Sequence, residues 1–147
     1  GTVEIDEAAG PVLGLNDARV LREGTDATLL CYGPMVKVCL AAAEAAEQEG
    51  RSLEVLDLRS LSPLDLPRIL ESVRKTGRAV VVHEASTFLG LGAEIAALVQ
   101  QEAFYHLEAP VLRVGGYNIP YPPSRFEEEF LPTLDRVLDA VDRSFEH

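Results

Sequence analysis

The chain is poor in the features that announce a chemistry or a compartment outright. It has only two cysteines in 147 residues, Cys31 and Cys39, with neither CxxC nor metal-ligand spacing, so neither a disulfide framework nor a zinc site is expected. Cys31 falls in an apolar, strand-like run and Cys39 in a helix-like one, and both read as buried free thiols. No apolar run approaches the roughly 20 residues that cross a bilayer, and no signal-peptide pattern is visible. A soluble, intracellular protein is therefore expected. Basic residues are scarce: 13 Lys and Arg face 24 Asp and Glu, a net charge of −11. That balance argues against nucleic acid or an anionic membrane as a partner and in favour of a basic protein. No serine lies in a G-x-S-x-G elbow, which leaves a hydrolase without its usual nucleophile. Internal repeats and low-complexity tracts are also missing.

What is present is enough for one domain, since 47% of the residues are apolar and a chain of this size can bury a core without metal or disulfide help. Ala27 to Tyr32 is a continuous apolar run closed by Gly33, the pattern of a strand covered on both faces. Pro34 then suits a first helical turn, and the Ala-rich segment to Glu49 ends at Gly50. The grammar repeats. Leu53 to Leu58 predicts a strand, and after Ser62-Pro63-Leu64-Asp65 a helix runs to about Lys75, with Ile69, Leu70 and Val73 on one face and Gly77 at its end. Arg78 to Val82 predicts a third buried strand, 92–107 a helix, and Val111 to Val114 another strand. Leu134, Val137, Leu138, Val141 and Phe145 recur at helical spacing and mark the clearest amphipathic helix. Ala18 to Arg22 reads as a short edge strand. The expected class is α/β, a three-layer α/β/α sandwich on a mainly parallel sheet of about five strands. Residues 1–17 are read as a linker or N-terminal extension and 18–147 as the domain.

Each candidate site has a plain structural alternative. His83 and Glu84 end a predicted parallel strand, the edge at which α/β sheets bind ligands. They lack an evident third catalytic group, so a polar cluster at a subunit contact is the preferred reading, with Asp57 and Arg59 of the adjoining strand as pairing candidates. Gly90-Leu91-Gly92 before a helix is half of a dinucleotide fingerprint whose third glycine would fall on Ile95. Close helix packing explains it better. His106 is expected near a helix C-terminus, where its charge is favoured without any function. The adjacent Phe88-Leu89 pair, and Tyr117, Tyr121 and Phe126 among Pro120, Pro122 and Pro123, suit a partner surface or a cover over the end of the core.

Several ordered motifs converge on one family. Leu56-Asp57-Leu58-Arg59-Ser60-Leu61-Ser62-Pro63-Leu64-Asp65, Ser72-Val73-Arg74-Lys75-Thr76-Gly77-Arg78, Val82-His83-Glu84-Ala85, Gly92-Ala93-Glu94-Ile95 and Ala109-Pro110-Val111-Leu112-Arg113-Val114 resemble, in that order, the C-terminal domain of the E1 β subunit of 2-oxo acid dehydrogenase complexes, part of the wider transketolase family. Tyr117-Asn118-Ile119-Pro120-Tyr121-Pro122 is more similar to branched-chain than to pyruvate enzymes. Phe88-Leu89-Gly90-Leu91-Gly92 departs from the family's Gly-Gly-Phe-Gly. The resemblance implies one antiparallel strand beside parallel ones, and a fragment of a longer subunit, because nothing like the N-terminal cofactor domain is present. It implies thiamin diphosphate and Mg2+ in the complete enzyme, none bound by this domain alone and no catalytic residue in it. The implied partners are an E1 α subunit, a second β subunit and the peripheral subunit-binding domain of the E2 acyltransferase. His83, Glu84, Phe88, Leu89, Tyr117 and Tyr121 would lie at the subunit interface. Glu108, in the position where such subunits present a docking acid, would receive E2 together with Phe145 and Glu146. The location would be the bacterial cytoplasm or the mitochondrial matrix. A free-standing flavodoxin-like module for a small ligand, and a purely structural dimerisation domain, are the alternatives.

Overall fold

The computed structural model describes residues 17–83, 91–115 and 134–147. Their order is β1 (Arg19–Arg22), β2 (Ala27–Cys31), α1 (Met35–Gln48), β3 (Leu53–Asp57), α2 (Leu66–Thr76), β4 (Ala79–Val82), α3 (Leu91–Glu102), a 3-10 turn (Phe104–His106), β5 (Leu112–Val114) and α4 (Leu134–Ser144). The five strands form one sheet in the order β1-β3-β2-β4-β5. Only β1 runs antiparallel, against β3; the pairs β3–β2, β2–β4 and β4–β5 are parallel.

Period-two alternation splits each strand between two cores. Leu29, Val55, Val80 and Val82 point to one face, where Met35, Cys39, Ala42, Ala43 and Ala46 of α1 meet Val137, Ala140 and Val141 of α4. Leu30, Leu56 and Val81 point to the other, against Ile69, Leu70 and Val73 of α2 and Ile95, Ala96 and Val99 of α3. Two helices on each side of one sheet make the three layers. Both cysteines lie free in the first core.

Local chemistry sets the element ends. Asp65 caps α2, its side chain accepting from the Arg68 N–H at 3.3 Å, and Gly77 closes it in the left-handed conformation (φ 77°), donating to the Val73 carbonyl. One carboxylate is buried deeply: Glu54 of β3 is 2% exposed. It accepts from the Gly24 N–H (3.0 Å), the Ser72 hydroxyl (2.7 Å) and the Lys75 ammonium (2.5 Å). Thr28 extends that network to Ser72 and Thr76, each at 2.8 Å. The network ties β2, β3, α2 and the β1–β2 loop together, and it satisfies the charge that burial would otherwise penalise.

One expectation needs correcting. The helix predicted over 92–107 stops at Glu102, and Phe104–His106 forms a separate 3-10 turn, with the His106 N–H donating to the Ala103 carbonyl at 2.8 Å. No described helix is long and apolar enough to cross a membrane.

Candidate functional site

Parallel strands give the domain two chemically different ends, and the sequence-predicted residues divide between them. His83 follows β4 at the C-terminal end of the sheet and donates its N–H to the Val114 carbonyl at 2.9 Å. Its ring lies between two glycines: a Cβ on Gly92 would come within 2.6 Å of the imidazole and one on Gly115 within 2.7 Å. Gly92 thus lets the start of α3 approach His83, a close-packing use of this glycine, while Gly90 lies outside the described residues. The half-buried ring borders a cavity of about 10 Å³ shared with Leu30, Tyr32, Leu58, Val81 and Ile95, which is room for about one water. An open surface cleft of about 390 Å³ lies on its other side, lined by Arg113, Gly115 and Arg143. Arg136 donates to the Gly115 carbonyl.

The proposed pairing of Asp57 or Arg59 with His83 meets a topological obstacle. Strand β2 stands between β3 and β4, a separation of two strand spacings, or roughly 10 Å. Asp57 instead accepts from the Arg59 N–H at 3.0 Å. Glu84, Phe88, Leu89, Tyr117, Tyr121 and Phe126 lie outside the described residues.

At the opposite, N-terminal end, two of the three residues read from the sequence as a docking set, Glu108 and Phe145, share one arginine. Glu108 donates its backbone N–H to the Gly77 carbonyl at 2.8 Å, between β4 and β5. Its carboxylate, 64% exposed, faces Arg78 at 3.7 Å. Arg78 itself is largely buried; its Nε donates to the Ser144 carbonyl at 2.9 Å. Its guanidinium carbon lies 4.1 Å from the centre of the Phe145 ring, and that of Arg51 lies 4.0 Å from the same ring. Arg51 also pairs with Asp142 at 2.5 Å. Glu146, exposed, continues the turn and donates its N–H to the Arg143 carbonyl. Phe145 thus acts as an internal tether at this end. It holds the end of α4 beside Glu108 through cations stacked on its ring, each worth about 0.5–2 kcal/mol.

Arg51 and Arg78, the residues that build this end, were not singled out from the sequence. Arg78 lay inside a motif and Arg51 in an unremarkable turn. Also missed were Phe104 and Tyr105, now exposed side by side just ahead of Glu108. Among the described residues no three His, Cys, Asp or Glu side chains converge as metal ligands.

Comparison with known proteins agrees with this architecture. The family model described as "Transketolase, C-terminal domain" matches residues 16–137. Over 141 residues the chain is 53% identical to the pyruvate dehydrogenase E1 component subunit beta of Leifsonia xyli, covering 96% of this chain and 42% of that protein. It is 50% identical over 138 residues to the 3-methyl-2-oxobutanoate dehydrogenase subunit beta of Mycobacterium tuberculosis, covering 93% and 40%. Among solved structures, one described as "Split gene transketolase, inactive beta4 tetramer" superposes with a TM-score of 0.75 at 32% identity, over 91% of this chain and 43% of that one. The chain therefore spans about two fifths of the length of the curated relatives it matches.

Proposed function

We propose a role that starts from family membership: the chain belongs to the transketolase C-terminal domain family, and we read it as the C-terminal assembly and docking domain of an E1 β subunit of a 2-oxo acid dehydrogenase complex. The observation that carries this reading is identity of 53% and 50% to two such β subunits over nearly all of the chain. The whole enzyme would oxidatively decarboxylate a branched-chain 2-oxo acid or pyruvate, the branched-chain assignment resting on the Tyr117 to Pro122 motif. Thiamin diphosphate and Mg2+ would be held elsewhere in the enzyme, in the bacterial cytoplasm or the mitochondrial matrix. This domain would join the E1 α subunit and a second β subunit through His83, Glu84, Phe88, Leu89, Tyr117 and Tyr121. It would receive the peripheral subunit-binding domain of E2 at Glu108 and the Phe145-Glu146 turn.

The N-terminal end of the sheet suits that docking in physical terms. Glu108 is held by its backbone and by Arg78, yet most of its carboxylate faces solvent, so a partner arginine can approach it in bidentate fashion without first ordering it. The net charge of −11 would steer a basic domain towards this chain. A free-standing small-ligand module is less well supported, because the two relatives compared over nearly all of the chain are E1 β subunits.

Calorimetric titration with the isolated peripheral subunit-binding domain of E2, at low and moderate salt, tests the proposal. Glu108→Gln should weaken binding by more than tenfold if the pair becomes desolvated, equivalent to at least about 1.4 kcal/mol. An affinity indifferent to both salt and the Glu108 change would refute docking at this end. Measurable docking of any kind would separate this reading from a purely structural dimerisation domain.

A further inference from the structure

The most exposed large apolar side chains among the described residues are neighbours: Phe104 is 59% and Tyr105 94% solvent-accessible. Their rings meet edge to face, with centroids 5.4 Å apart at 81°. They cover no core, so burial does not explain them, and an adjacent aromatic pair in water is the usual mark of a contact surface. The backbone beneath them is fixed on both sides. Ala103 is fully buried and its N–H reaches the Val99 carbonyl at 2.9 Å; the Leu107 N–H reaches the Phe104 carbonyl and Glu108 is bonded to Gly77. Leu107 packs into the core cluster of α2 and α3, and Arg74 of α2 donates to the Glu102 carbonyl. The pair is therefore presented on a short, anchored 3-10 turn, which lowers the entropy lost when it is covered.

We propose that Phe104 and Tyr105 form an aromatic anchor for an arginine of the partner that docks at Glu108, so that the docking face is an aromatic pair flanked by carboxylates rather than a lone acid. This rests on the docking reading above and names the second half of that site. Glu102 and Glu108, both exposed, bracket the pair in sequence, and a ring face beside a carboxylate is a place where a guanidinium gains a cation–π contact and an ion pair together. The chain already uses that chemistry a short way off, where Arg51 and Arg78 lie over Phe145. Tyrosine and arginine are the residues that most often dominate such interfaces. The acidic surroundings disfavour an anionic bilayer as the occupant.

The test is titration of the chain with the E2 peripheral subunit-binding domain, using Tyr105→Ala, Phe104→Ala, Tyr105→Phe and Glu108→Gln, with melting temperature and sedimentation measured in parallel. Tyr105→Ala should weaken binding at least tenfold with an unchanged melting temperature, whereas Tyr105→Phe, which keeps the ring face, should stay within about threefold. Full affinity in Tyr105→Ala alongside loss in Glu108→Gln would overturn the aromatic anchor and leave docking at Glu108 intact. Absence of binding by the unmodified chain would sink the docking reading and this inference with it. Loss of self-association rather than of docking in Tyr105→Ala would reassign the pair to a subunit contact and overturn the inference.

Discussion

Replacing Gly24 by alanine should damage this domain more than the same change at any other described glycine. Gly24 is buried at the turn between β1 and β2, and a Cβ placed on it would stand 2.3 Å from the Leu53 carbonyl carbon, 2.5 Å from the Glu54 nitrogen and 2.6 Å from the Leu53 oxygen. Ordinary contact needs a full ångström more. All three atoms are backbone, and they belong to β3, which is paired on both sides by β1 and β2. A side chain could rotate away; this strand has nowhere to go. Overpacking of this kind costs about 1–3 kcal/mol. The turn cannot move out without lengthening the 3.0 Å bond from the Gly24 N–H to the Glu54 carboxylate, which adds about 1–2 kcal/mol for a buried charged acceptor. Glycine-to-alanine changes at unstrained positions stabilise by about 0.4–1 kcal/mol through the unfolded chain, too little to offset this. The expected net loss is about 2–4 kcal/mol, a fall in Tm of roughly 4–16 °C for a chain of this size. Urea unfolding followed by circular dichroism gives the free energy, with Thr25→Ala, whose side chain is exposed, as the neighbouring control. A Gly24→Ala protein within 1 kcal/mol of the parent would show that β3 and the turn do not approach as described.

Two further outcomes follow from buried groups. Lys75→Met leaves the Glu54 carboxylate, 2% exposed, with its two neutral donors and no cation. Breaking a buried pair costs about 3–5 kcal/mol, and because Lys75 is itself 44% exposed about 2 kcal/mol is expected here, part of it recovered in a Lys75→Met/Glu54→Gln double variant; a cycle without coupling would refute the pairing. The Cys39 thiol is held well above its ordinary pKa, first by its hydrogen bond with Cys31, then by burial and the neighbouring thiol's charge. Its protonated form is thus favoured only in the folded state: the contribution is intact below the unfolded thiol pKa of about 8.5 and declines as pH rises beyond it. Urea midpoints measured from pH 7 to 10 should therefore fall more steeply for the parent than for Cys39→Val, and parallel curves would contradict this.

The parts of the fold legible in the sequence were those written locally. The stripe from Val137 to Val141, the largely apolar run from Ala27 to Cys31 and the cap pair Asp65 and Gly77 each carry a period or a punctuation mark. The 92–107 helix was overrun because no glycine or proline stands between Val99 and Pro110 to end it. Its true stop comes from Ala103 and Leu107 being drawn into the core, with Phe104 and Tyr105 turned outward in between. The Asp57–His83 pairing failed for a different reason: the order of parallel strands depends on which crossover lands beside which, and nothing in the β3 and β4 segments tells that β2 separates them. Glu108 could be named only through family resemblance. Arg51 and Arg78 could not be named at all, since their meeting over Phe145 brings together three segments far apart in the chain.

That meeting also bears on where the two proposed associations would lie. Arg78 and His83 are the residues on either side of β4, and five steps of extended chain put them about 16 Å apart, at opposite ends of the parallel strands. Glu108 and Phe145 are tied to Arg78, while His83 is packed by Gly92 and Gly115 at the far end. The two proposed contacts, a subunit contact at the His83 end and a docking partner at the Glu108 end, would therefore centre on opposite ends of the sheet. A domain with the role proposed above needs that arrangement, because it must remain built into its own enzyme while it holds a separate one. Strands β2, β3, β4 and β5 all run from the Arg78 end towards the His83 end while β1 runs the other way, and helices cover both faces of the sheet between the two ends.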